Sequence, residues 1–222
     1  MCNRKTYGIM ALLALAVLTV AGGTVRADAS LVGWWPLDEG SGTVAKDASG
    51  GGFDGTFKGE PLWTAGRFGS ALTFDGKDDY VDTTFTQNLG VWTVGCWVQS
   101  PAAPASVAAA GPVHRESNFQ INWNHTNATF RGAAGVKVGS TWYAASFGAL
   151  GADTWYHLAA TYDGENLKAY TNGQLITNND TPSGAAANET NTLKLGRHAS
   201  SATQFFTGTV DDARVYNRAL SQ

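Results

Sequence analysis

Charge is scarce in this 222-residue chain: only 15% of its residues are Asp, Glu, Lys or Arg, and they sum to −3. A balance that weak and that mixed excludes a nucleic-acid surface built on a basic face. Cysteine is nearly absent, with Cys2 and Cys96 alone. Glutamate is limited to Glu39, Glu60, Glu116, Glu165 and Glu189. Beyond residue 20 no apolar run approaches the roughly 20 residues that a membrane-crossing helix needs, and no segment shows a helical repeat of apolar positions. Glycine (27) and aromatic side chains, including 8 Trp, are plentiful instead. That composition fits short strands joined by tight turns, and it is the reverse of a disordered chain.

The first 27 residues read as a secretory signal peptide. Arg4 and Lys5 form a basic start, Ile9 to Val20 an apolar stretch, and Val25-Arg26-Ala27 a small-residue cleavage site. Cleavage would remove Cys2 and three basic residues (Arg4, Lys5 and Arg26) but no acid, so a net charge of −3 becomes −6. Cys96 is then the only thiol of residues 28–222, which excludes an internal disulfide in spite of the oxidising destination. The expected location is secreted, periplasmic or cell-surface, with no membrane span after cleavage.

Residues 28–222 read as one domain. Val91 to Val98 carries the clearest strand pattern: Trp92, Val94, Cys96 and Val98 alternate with Thr93, Gly95 and Trp97. Cys96 falls on the apolar face and reads as a small buried hydrophobe. Further strands are expected at 31–37, 70–74, 80–84, 119–123, 129–131, 142–147, 155–162, 167–171, 192–196 and 205–216. Asp75-Gly76, Asp163-Gly164 and Asn172-Gly173 are hairpin-type turns. Pro101 to Pro112 reads as a long Ala/Pro-rich connection. Turns recurring every 8 to 12 residues are the rhythm of a β-sandwich.

Several segments, taken in order, resemble a known family. They are Gly33-Trp34-Trp35-Pro36-Leu37-Asp38-Glu39-Gly40-Ser41-Gly42, then Gly66-Arg67-Phe68-Gly69-Ser70-Ala71-Leu72-Thr73-Phe74-Asp75-Gly76, then Asp78-Asp79-Tyr80-Val81. Trp92-Thr93-Val94, Trp155-Tyr156-His157-Leu158, Tyr170-Thr171-Asn172-Gly173 and Thr209-Val210-Asp211-Asp212-Ala213-Arg214-Val215-Tyr216 follow. Together they resemble the LamG-like, concanavalin A-like jelly-roll family in its bacterial laminin-G-type branch. The resemblance implies an all-β fold, a two-sheet antiparallel jelly-roll β-sandwich whose first and last strands lie side by side.

Two sites follow as expectations. Strict alternation along the last strand puts Asp211 with Ala213 and Val215, turned inward, and strand adjacency would bring the Asp47 to Asp54 loop beside it. Asp47, Asp54 and Asp211, with Asp75 as a further ligand, would then form a hard oxygen cage for a structural Ca2+, which the resemblance supports. The competing reading makes Asp211 an acceptor of backbone N–H groups, and Asp47 and Asp75 turn residues. The second site is a sugar-binding face. Trp123, Asn124, His125, Arg131 and Trp142 combine flat rings with hydrogen-bonding groups, and Asn191, Arg197 and His198 could join them. The competing reading buries Trp123 and Trp142 in the core.

Three functions remain open at this level. One is a non-catalytic module that binds polysaccharide or glycan. Another is a structural or adhesion domain with a protein ligand. The last is a glycoside hydrolase or polysaccharide lyase on the same sandwich. The hydrolase reading lacks a Glu-x-Asp-x-(x)-Glu strand, and the lyase reading rests only on His114-Arg115-Glu116 with Gln120.

Overall fold

The computed structural model describes residues 28–101, 110–126 and 129–222, with side chains omitted for 124–126 and 129–131. The signal-peptide segment therefore lies outside the described residues. Sixteen strands and no helix make up the described part. In chain order they are β1 (Leu31–Trp35), β2 (Val44–Ala45), β3 (Gly55–Lys58), β4 (Leu62–Ala65), β5 (Ser70–Asp75), β6 (Tyr80–Thr83), β7 (Trp92–Gln99) and β8 (Ala110–Arg115). There follow β9 (Phe119–Thr126), β10 (Thr129–Val138), β11 (Thr141–Leu150), β12 (Tyr156–Tyr162), β13 (Leu167–Thr171), β14 (Gln174–Asn179), β15 (Lys194–Leu195) and β16 (Thr207–Tyr216).

They form two antiparallel sheets, the jelly-roll sandwich. The first runs β14-β13-β12-β7-β16-β5-β4, with β1 also paired to β16; the second runs β11-β10-β9-β8-β15-β6-β3-β2. The first and last strands do meet, Leu31 opposite Tyr216 and Trp35 opposite Ala213. The core between the sheets is aromatic: Trp92 packs against Phe119 at 5.8 Å and Tyr162 at 6.0 Å between ring centroids. Trp92, Val94, Cys96 and Val98 all point into it, as alternation predicts. Trp97, opposite His157 in the register of β7 and β12, faces outward.

The last strand departs from simple alternation. Asp212 has φ 51°, a left-handed conformation that Asp tolerates better than most residues. The register of β16 against β7 slips between Asp211 and Arg214. This is a β-bulge, and it lies where β16 changes partner. Thr207 to Val210 pair with β5, whereas Ala213 to Tyr216 pair with β1. The extra residue places Val210 in the core with Ala213 and Val215. Asp211 therefore sits on the other face, and the expectation that it shares a face with Ala213 and Val215 is corrected.

The first three residues of β8, Ala110 to Pro112, fall in the stretch expected to be a connection. All six residues of the strand are buried, polar and apolar alike, so no alternation marks it. Its Arg115 is fully buried and donates to the carbonyls of Asn191 (2.6 Å), Thr86 (2.7 Å) and Glu189 (2.9 Å). It thus clamps two loops onto the end of the second sheet.

Candidate functional site

The four carboxylates proposed as a calcium cage are not gathered. Asp47 accepts N–H groups from Trp34 (3.0 Å), Ser49 (2.9 Å) and Phe53 (2.9 Å). Burial alone would raise its carboxyl, but these donors outweigh it and hold it below the ordinary range. Asp54 accepts from the backbone of Asp47 at 2.9 Å and from Lys46 Nζ at 2.7 Å. Asp211 accepts Phe68 N–H at 3.0 Å, beneath the turn between β4 and β5. Asp75 closes its own turn on Lys77 N–H at 2.8 Å. For Asp47, Asp75 and Asp211 these acceptor roles are the ones the competing reading assigned. Another acidic group does form: ligand oxygens of Asp75, Asp78 and Asp79 lie within 4.8 Å of one another. Asp79 is buried, and burial, reinforced by Asp75 and Asp78, pushes its carboxyl up.

The expected sugar-binding set is dispersed as well. Trp123 is 3% exposed and packs in the core against Tyr156 and Phe206. Trp142 is 42% exposed on β11, an edge strand. Asn124, His125 and Arg131 pair through their backbones between β9 and β10, but their side chains lie outside the described part. Arg197 stacks on Tyr80 at 4.7 Å and Phe205 at 5.4 Å, and its Nε donates to Ser201 O at 2.8 Å. Three strands separate β15, which Arg197 follows, from β11, a span of roughly 19 Å at the usual strand spacing. His198 stacks on buried His114 at 3.9 Å and faces Glu116 at 3.4 Å. The faint lyase pattern does not assemble, because Arg115 is committed to loop carbonyls.

A different site is built on the outer face of the first sheet. Arg67, Trp97, Trp155, His157 and Asn172 line an open pocket of about 440 Å3, within the usual range for ligand pockets. Trp97 and His157 face each other across β7 and β12, with rings 5.3 Å apart. Asn172 (φ 50°) and Gly173 (φ 79°) form the tight turn between β13 and β14, a pair suited to consecutive left-handed residues. That turn is tied to β12, since Asn172 Oδ1 accepts His157 N–H at 2.9 Å and Asn172 N–H donates to His157 O at 2.8 Å. Burial holds His157 below its ordinary range, so the ring is neutral at pH 7. Two neighbouring hollows share His157 and are floored by Thr93, Gly95, Ala159 and Thr161. Small side chains thus extend the pocket into a groove.

Alternation already marked Trp97 as facing away from the apolar set, beside Gly95. That was the available signal for this site. Arg67 and Asn172 arrive through turns, and nothing in the local sequence says which face they overhang.

Residues 75–222 match the family model described as the concanavalin A-like lectin/glucanases superfamily. No curated protein matches the chain. Among solved structures, domain 4 of AbnA, a GH43 extracellular arabinanase from Geobacillus stearothermophilus in complex with arabinotriose, is similar with a TM-score of 0.65 at 19% identity. That likeness covers 86% of this chain and 94% of that one. The binding domain of Paraclostridial Mosquitocidal Protein 1 has a TM-score of 0.66 at 14% identity, covering 86% of this chain and 50% of that one. A botulinum neurotoxin type C structure, described as dependent on two ganglioside molecules for cell entry, has a TM-score of 0.65 at 14% identity, covering 86% and 49%. The chain thus spans about half of each toxin chain.

Proposed function

The chain belongs to the concanavalin A-like lectin/glucanase superfamily, and on that footing we propose that it is a non-catalytic carbohydrate-binding module that works outside the cytoplasm. The pocket of Arg67, Trp97, Trp155, His157 and Asn172 carries this reading. A sugar ring presents a flat C–H face that packs on an indole, while its edge needs hydrogen-bonding groups of the kind His and Asn provide. Solved structures of the same fold bind arabinotriose or gangliosides, which supports a glycan as ligand. No pair of carboxylates lines the pocket among the described residues, and sandwich glycosidases act through such a pair. The basic, apolar and small-residue order of residues 1–27 supports export.

A glycan array tests the reading. The chain is expected to retain one or more glycans, and Trp155→Ala or Trp97→Ala to weaken retention about tenfold or more with the melting temperature kept. Trp142→Ala is expected to leave binding intact. A blank array from folded protein overturns the proposal.

Calcium remains a proposal, moved to Asp75, Asp78 and Asp79. Three carboxylates are hard oxygen donors of the type Ca2+ prefers, and a cation there would relieve the repulsion that now acts on Asp79. Calcium is expected to raise the melting temperature of the chain, and Asp78→Asn to remove that rise. An unchanged melting temperature across a calcium titration would exclude the site.

A further inference from the structure

Among the arginines whose side chains are described, all but one are committed to protein acceptors. Arg115 donates to Asn191, Thr86 and Glu189, and Arg197 to Ser201. Arg214 bonds Asp212 at 3.0 Å, and Arg218 bonds Asp28 and Ser30. The guanidinium of Arg67 makes no hydrogen bond or ion pair to any described residue. It rests instead 5.0 Å from the Trp97 ring centre and 5.5 Å from that of Phe68. Those two rings meet edge to face at 5.8 Å. The turn that carries Arg67 is closed by Gly66 N–H to Gly69 O at 3.1 Å and by Phe68 N–H to Asp211 at 3.0 Å. Arg67 is therefore held at the rim of the pocket with its N–H fork unassigned.

The rest of the pocket sharpens the point. Its lining offers donors in Arg67 and two indole N–H groups, one donor and one acceptor in the neutral His157 ring, and no carboxylate. Its amide acceptor, Asn172 Oδ1, is already taken by His157 N–H. A neutral sugar brings hydroxyls that both donate and accept, whereas in this lining donors outnumber acceptors. In a chain of net charge −3, a pocket with one uncommitted cation and no acid is the place where an anion is drawn in.

We propose that the ligand of this pocket is an anionic glycan, whose carboxylate or sulfate group is received by Arg67 while a neighbouring sugar ring packs on Trp97 or Trp155. The inference rests on the carbohydrate-binding reading above and names its ligand class. A planar guanidinium matches two oxygens of a carboxylate or sulfate in a forked pair, and the aromatic faces beside it keep the fork oriented.

The test compares three galactose-based polymers by titration calorimetry with the full chain: neutral galactan, polygalacturonate as the carboxylate source and carrageenan as the sulfate source. One of the two anionic polymers is expected to bind at least tenfold tighter than galactan. Raising salt should weaken that binding. Arg67→Gln should remove the preference, about a tenfold loss, without moving the melting temperature, and Arg67→Lys should restore only part of it. Whichever anionic polymer responds identifies the charged group. Galactan binding equal to both, or a preference that survives Arg67→Gln, overturns the anionic inference and leaves the binding reading standing. Binding of none of the three, with a blank array, overturns both.

Discussion

Asp211 shows how much one residue's surroundings decide. It is 1% exposed, and burial pushes its carboxyl up from 3.8 to about 6, against the pull of the Phe68 and Arg67 N–H groups. Its folded state thus holds a proton more firmly than the unfolded chain does. The stability this contributes is complete below about pH 4 and is lost as pH rises through about 6. Asp211→Asn should therefore flatten the pH dependence of unfolding between those values and raise stability at pH 7–8 by roughly 1–3 kcal/mol, measured by urea denaturation across pH. A loss of stability at neutral pH would instead show that the hydrogen bonds from Phe68 and Arg67 N–H to the charged carboxylate outweigh its burial. Trp123 carries the complementary lesson: Trp123→Ala should cost roughly 3–5 kcal/mol in the same assay, as befits a core residue rather than a ligand contact.

Among elements, β7 was readable in full, because one face is uniformly apolar and the other is not. β8 was hidden: Ala110 to Arg115 are buried throughout, and buried His114 and Arg115 look like surface residues in sequence. Arg115 makes that strand an anchor. Arg115→Leu would strand the carbonyls of Thr86, Glu189 and Asn191, and it should lower stability by about 3 kcal/mol or more; a loss under 1 kcal/mol would deny the clamp its role. The bulge at Asp212 was equally hidden, since an extra residue within a strand leaves no compositional mark when an Asp fills it. Missing it reversed the faces assigned to Val210 and Asp211, whereas Asp212 stays beside Arg214.

At the scale of the molecule, the two ends of the stretch 28–222 lie together. Asn217 N–H donates to Ser30 O at 2.9 Å, and Arg218 bonds both Ser30 and Asp28. Joining Gln222 to Asp28 through a short Gly-Ser linker and opening the chain at Gly139-Ser140, an exposed turn, should yield a folded circular permutant. Its melting temperature should fall within several degrees of the parent's, and failure to fold would contradict the observed pairing of β1 with β16. Cys96 is buried and free, with its thiol pushed far up by burial. Reducing agent should therefore leave the melting temperature of residues 28–222 unchanged.

Alternation and glycine turns sufficed for the all-β class and the inward face of β7, because each depends on neighbours one or two residues away; the two sheets and the meeting of the first and last strands followed only from the resemblance of the ordered motifs to the jelly-roll family. The binding pocket was decided by tertiary structure. Arg67, Trp97, Trp155, His157 and Asn172 come from separate turns and strands, and only sheet pairing brings them over one another. The intended calcium ligands parted for the same reason: a carboxylate binds the nearest available donor, and which donor is nearest is set by the packed fold.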